Sequence, residues 1–131
     1  MIVLDASVLI AYLDATDAQH ERAVDAISHA GDEGLAASPV TIAEALAGPA
    51  RGGRLDAVAD AIGRLGVHEI AVSGDASRRL ASLRAATGLR LPDCCVLLAA
   101  EVAGASALSS FDHRLRAAAR ASGLALHPTR P

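Results

Sequence analysis

Residues 1–14 read MIVLDASVLIAYLD, and the residue that decides their meaning is Asp5. Ile2–Asp5 has the length and apolar content of a short buried strand, and Ser7–Leu13 continues as an apolar helix. A carboxylate at the junction has two readings. Asp is a preferred helix cap, worth about 1 kcal/mol there. It also suits a ligand at the carboxyl end of a strand, where open parallel sheets bind theirs.

Outward from this stretch, strand and helix alternate. Asp17–Ala30 carries Ala23, Val24 and Ile27 on one helical face, and Leu35–Ala37 reads as a second strand. Ser38 and Pro39 supply a cap and a first-turn proline for a helix that carries Ile42, Ala43 and Leu46 inward and is expected to stop near Gly48-Pro49. Leu55, Val58, Ala59, Ile62 and Leu65 recur at helical spacing up to Gly66. Val67–Val72 is a third strand, Ser73–Thr87 a helix, and Leu91-Pro92-Asp93 opens a strongly apolar helix running to about Ala103. Ala107–Ser109 is a fourth strand, Asp112–Ser122 a helix and Leu124–Leu126 a last short strand. Strands separated by helices imply a parallel sheet. The length of 131 residues suits one domain, 1–131.

Composition narrows the class. Hydrophobic residues make up 52% of the chain, with one Phe, one Tyr and no Trp, so Ala, Val, Leu and Ile must build the core. No apolar run is long enough to span a bilayer and no signal peptide is visible, so a cytoplasmic location away from membranes is expected. The adjacent Cys94 and Cys95 point in different directions on a helix and read as small core residues. All twelve basic residues are Arg, which removes P-loop lysine and Schiff-base chemistry. Residues 1–50 hold eight acids and one Arg, whereas residues 51–131 hold seven acids and eleven Arg. A basic second half can face a polyanion, or it can be solvated helix surface.

Three further acids join Asp5. Asp112 follows the fourth strand, after Ser109-Ser110-Phe111; Asp93 heads the helix that leads into that strand; Glu44 lies one turn into its helix among Ile42, Ala43, Ala45 and Leu46. If strands one and four are neighbours, Asp5 and Asp112 meet at one sheet edge. Alone, Asp112 reads as a cap and Asp93 as a first-turn acid complementing the helix dipole. Glu44, on or beside an apolar face, asks for a partner or a metal. Crowded carboxylates repel and raise one another's pKa. A hard divalent cation such as Mg²⁺ or Mn²⁺ reverses that effect.

At IVLDASVLIAYLD, TIAEAL, LPDCCVLLAA and SSFDHRL the chain resembles a PIN-domain ribonuclease, and more narrowly a VapC-type toxin. The resemblance covers essentially the whole chain. It implies an α/β three-layer fold with a parallel sheet of four or five short strands flanked by helices. It maps the family's acids onto Asp5, Glu44, Asp93 and Asp112, and its small hydroxyls onto Ser7 and Ser110. Some members carry a further acid shortly after the last one; here His113, Arg114 and Arg116 occupy that stretch. The implied activity is Mg²⁺- or Mn²⁺-dependent endoribonucleolytic cleavage of RNA, with a cognate antitoxin as inhibitor and commonly a homodimer. Asp5, Asp93 and Asp112 would hold metal, and Glu44 would hold metal or orient the water. Arg114, close after Asp112, is the first candidate for phosphate contact, and equally a solvated helix residue. His20, Tyr12 and Phe111 read as structural, and Leu9, Leu13 and Val24 as core or as a partner surface.

Two other classes compete. A phosphoacceptor receiver module expects an acidic pair after the first strand and a Lys after a later one; this chain has a single acid there and no Lys. A catalytically weak relative that only binds antitoxin or RNA would keep the same motifs.

Overall fold

The computed structural model describes residues 1–130. Its first strand, β1 (Ile2–Leu4), is buried along its whole length at the centre of a five-stranded sheet. The others are β2 (Leu35–Ala37), β3 (Val67–Glu69), β4 (Ala107–Ser109) and β5 (Ala125–His127), in spatial order β3-β2-β1-β4-β5 with every pair parallel. Strands of three residues can be held this way because both faces are covered. Side chains alternate across the sheet. Ile2, Leu4, Leu35 and Ala107 face one layer of helices, while Val3, Ala36, Leu108 and Leu126 face the other.

The first layer contains α1 (Ala6–Leu13), α2 (His20–Ser28), α3 (Pro39–Arg51) and α4 (Leu55–Arg64), which contribute Val8, Leu9, Ile27, Ala45, Val58 and Ile62. The second contains α5 (Ala76–Thr87), α6 (Leu91–Ala103) and α7 (His113–Ala121), which contribute Leu80, Leu83, Val96, Leu97, Leu115 and Ala119. The parallel sheet expected from the alternating pattern and the α/β three-layer architecture implied by the resemblance are therefore both present. No helix among the described residues is long and apolar enough to cross a membrane.

Several expectations need correction. The third strand ends at Glu69 rather than Val72, because its neighbour β2 stops at Ala37 and Ser38-Pro39 turns that chain into α3. One further bond, from Ile70 N–H to the Ala37 carbonyl, closes the ladder at 2.9 Å. Helix α5 accordingly starts at Ala76, not Ser73. Helix α3 does not stop at Gly48-Pro49 but runs through Pro49 to Arg51. Part of the clash that keeps the residue before a proline out of the helical region comes from its Cβ, and Gly48 has none. Elsewhere the boundaries shift by one to three residues, as at α2, α7 and β5. Leu9 is fully buried and belongs to the core, while Leu13 and Val24 are half-buried, so they form no continuous exposed surface.

Two buried hydroxyls, Thr41 Oγ1 and Ser109 Oγ, have no hydrogen-bond partner among the described residues. Opposite outcomes are expected at two fully buried positions. Leu108→Ala loses about 2–5 kcal/mol of stability by opening a cavity under β4. Thr41→Val gains about 1 kcal/mol by removing an unpaired polar group. Urea unfolding midpoints measure both, and a destabilised Thr41→Val contradicts the assignment of an unpaired hydroxyl.

Candidate active site at the carboxyl edge of the sheet

The strand order reverses between β1 and β4: β2 and β3 extend one way, β5 the other. In open parallel sheets this switch point leaves a crevice at the carboxyl ends of the strands. Asp5 N–H donates to the Ser109 carbonyl at 2.9 Å, one further rung of the β1–β4 ladder, and so places the Asp5 side chain at that crevice.

Asp5 is buried, and it is both a cap and a junction. Its Oδ1 accepts from Ala6 N–H at 2.8 Å. Its Oδ2 accepts from the Ser7 hydroxyl at 2.7 Å and the Ser110 hydroxyl at 2.8 Å. Each hydroxyl also accepts a backbone proton from the loop after β4: Ser7 Oγ from Phe111 N–H at 3.1 Å, Ser110 Oγ from Asp112 N–H at 3.0 Å. Two serines thus stitch the end of β1 to the segment that carries Asp112.

Asp112 caps α7, and its Oδ1 accepts from Arg114 N–H and Leu115 N–H at 2.9 and 3.0 Å. Asp93 lies in the first turn of α6 and is buried. Its nearest cationic partner is Arg90, whose Nε stands 3.7 Å from Oδ2. Burial pushes the Asp93 carboxyl above the usual range, Asp5 adds to the rise, Arg90 opposes it, and Asp112 and Arg114 act weakly in opposite senses. Glu44 is also raised, first by partial desolvation, then by Asp5 and Asp93, with Arg90 again opposing. Each of the four acids therefore lies within the field of at least one other. Of the two placements left open for Glu44, on or beside the apolar face, the structure has the second: α3 turns Thr41 and Ala45 inward and leaves Glu44 exposed at the rim.

The donor set is hard oxygen, which fits Mg²⁺ or Mn²⁺, and the mutual repulsion is of the kind a divalent cation relieves. No three His, Cys, Asp or Glu side chains among the described residues are grouped tightly enough to enclose an ion directly. An ion of this type takes one or two carboxylates and retains water, so a loose cup is compatible with it.

Of the other residues singled out in the sequence, Arg114 is exposed and its Nη2 donates to the Gly88 carbonyl at 3.3 Å, near the start of α6. His20 Nδ1 lies 2.8 Å from the Ala11 carbonyl and ties α2 to α1, a structural role. Phe111 packs against the core with the Arg22 guanidinium 4.9 Å over its ring. Cys94 is buried, and burial raises the pKa of the half-buried Cys95, which disfavours a thiolate there. Sequence reading missed Arg90, the cation facing both Asp93 and Glu44. Its only signal was the spacing of three residues before Asp93, which many surface pairs share.

The PIN domain family model matches residues 2–121. The chain belongs to the PIN-domain family. The same fold occurs in the Mycobacterium tuberculosis toxin VapC20, described as cleaving the sarcin-ricin loop, at a TM-score of 0.73 and 22% identity over 90% of this chain and 95% of that one. A toxin–antitoxin complex from Klebsiella pneumoniae superposes at 0.70 with 23% identity over 86% and 87% of the two chains. FitAcB from Neisseria gonorrhoeae does so at 0.66 with 19% identity over 96% of each. No curated protein matches the chain in sequence.

The raised carboxyl of Asp93 has a thermodynamic consequence. Folded protein binds that proton more readily than the unfolded chain, so ionisation at neutral pH costs stability, and the cost vanishes below the unfolded pKa of about 4. Metal-free Asp93→Asn is expected to melt above the wild type at pH 7, with the gain shrinking as pH falls towards about 4. Calorimetry across that range measures it, and a lower melting temperature at pH 7 contradicts the repulsion.

Proposed function

We propose that this PIN-domain protein, one domain over residues 1–131, is a metal-dependent endoribonuclease acting as the toxin of a type II toxin–antitoxin pair in the cytoplasm. The observation that carries the reading is the meeting of Asp5 and Asp112 at the switch point, with Asp93 and Glu44 inside the same electrostatic neighbourhood.

Bound Mg²⁺ or Mn²⁺ would supply an activated water and neutralise charge developing on the phosphodiester oxygens. The chain's own residues do the rest. Asp5, Asp93 and Asp112 hold metal, and Glu44, exposed at the rim, holds metal or orients the attacking water. Ser7 and Ser110 hold the Asp5 carboxylate through Oδ2. Arg114 contacts substrate phosphate, and Arg90 shares that electrostatic task, its side chain being 75% exposed. The few aromatic residues suit recognition by RNA shape and backbone more than by base stacking. The sarcin-ricin loop cleavage described for VapC20 supports looped RNA as the substrate class.

A cognate antitoxin and a second copy of the chain are the proposed partners. The toxin–antitoxin complex among the structural neighbours supports the first. Exposed Val40, Val72 and Val102 rim an apolar groove between α3, the segment after β3 and α6, which offers a surface for partner contact.

The loose spacing of the acids favours one alternative, a catalytically weak PIN module that acts by binding antitoxin or RNA. The two readings separate in a cleavage assay with structured RNA. The nuclease reading expects cutting in Mg²⁺ or Mn²⁺ that falls to background with EDTA and with Asp5→Asn. Cleavage unchanged by both controls overturns it. Tight partner binding without metal, with no cleavage of any RNA pool, transfers the assignment to the alternative.

A further inference from the structure

Arg116 is 4% exposed, on the inner face of α7 beside Leu115 and Ala119. Among the described residues no carboxylate pairs with it. Burial depresses its pKa, and Arg120 and Arg22 push in the same direction. A buried cation without a counter-ion is destabilising unless hydrogen bonds replace its hydration. A methionine would fill similar space without that penalty, so packing alone does not account for an arginine here.

Its hydrogen bonds do. Nη1 donates to the Ser110 carbonyl at 2.9 Å and Nη2 to the Thr129 carbonyl at 3.4 Å. A planar fork bridges two chain segments in a way a single ammonium does not. The Ser110 carbonyl shares one rigid peptide plane with Phe111 N–H. The far side of that plane is held by Ser7 Oγ, which donates to Asp5 Oδ2. Ser110 itself donates to the same Oδ2 through its hydroxyl, accepts from Asp112 N–H, and gives its own N–H to the His127 carbonyl at 3.1 Å. Both serines that orient Asp5 therefore depend on where this one peptide plane lies, and Arg116 is the side chain that grips its carbonyl.

We infer that Arg116 is a positioning residue, a buried guanidinium that fixes the Ser110–Phe111 peptide and through it the carboxylate of Asp5. Its consequence for metal binding rests on the proposed role of the acids; its consequence for Asp5 geometry does not. The test uses the full chain with Arg116→Met, Arg116→Lys and, as control, Arg120→Met on the exposed side of the same helix. In metal-free protein, NMR follows amide exchange at Phe111 and the carboxyl ¹³C shift of Asp5. Mn²⁺ affinity is followed by loss of the free-ion electron paramagnetic resonance signal.

Arg116→Met is expected to exchange faster at Phe111, to move the Asp5 carboxyl shift, and to bind Mn²⁺ about 10-fold more weakly, in line with other residues behind a ligand. Arg116→Lys, which satisfies one carbonyl only, is expected to change all three in the same direction by less. Arg120→Met leaves them as in the wild type. If Arg116→Met does not fold, Arg116→Lys is judged by the same readouts. A folded Arg116 variant with an unmoved Asp5 shift overturns the inference, whereas a moved Asp5 shift with wild-type Mn²⁺ affinity supports it and counts against Asp5 as a metal ligand. A wild type that binds no Mn²⁺ defeats the proposed function instead, and the Asp5 shift still decides the role of Arg116.

Discussion

One oxygen, Asp5 Oδ2, accepts protons from two serines, Ser7 in the first turn of α1 and Ser110 just after β4. That bifurcated acceptance joins β1, α1 and the segment between β4 and α7 at a single point. It forms only because β1 and β4 are parallel neighbours in register, Leu4 opposite Ser109, so that both chains leave the sheet at the same height. The cap of α1, the placement of Asp112 and the turn into α7 all follow from that meeting. The rest of the fold delivers the remaining acids: α6 packs under β1 and β2 and presents Asp93 from its first turn, and α3 brings Glu44 to the rim.

Such a site works against the stability of the fold that carries it. Asp93 is withdrawn from water and faces Asp5 and Asp112, and Glu44 faces Asp5 and Asp93. The main local relief among the described residues is Arg90, a mostly exposed side chain whose ion pair is worth little in water. A chain that only needed to fold would put amides or apolar groups at these positions. Repulsion of this kind is what the proposed divalent cation would relieve, and it connects the energetics to the proposed nuclease chemistry.

Much of this was legible in the amino-acid sequence. The apolar run ending at Asp5, the Ser38-Pro39 helix start and the Gly-terminated helices set the element order, since each is a local signal. The convergence of Asp5 and Asp112 depended on strand order, which spacing leaves open; the resemblance to PIN domains implied the set of acids, and the structure supplies the order. Local rules failed where tertiary context decides. Val67–Val72 has strand composition throughout, yet loses its partner after Glu69. Gly48-Pro49 carries a stop signal, yet Gly48 lets the helix pass. Glu44 sits in an apolar segment, yet the rotation of α3 leaves it exposed. In the sequence Arg116 reads only as standing where some relatives carry an acid, because nothing in HRLRAAAR marks which arginine turns inward beneath the loop.

Asp5, Asp93 and Asp112, with Glu44 beside them, are proposed to form one cation-binding cup at the β1–β4 switch point. Anomalous diffraction from crystals soaked in Mn²⁺ addresses it directly. A manganese peak is expected within coordination distance of carboxylate oxygens from Asp5 and at least one of Asp93 and Asp112. Well-diffracting crystals with no peak there, or with manganese bound only elsewhere on the molecule, would contradict it.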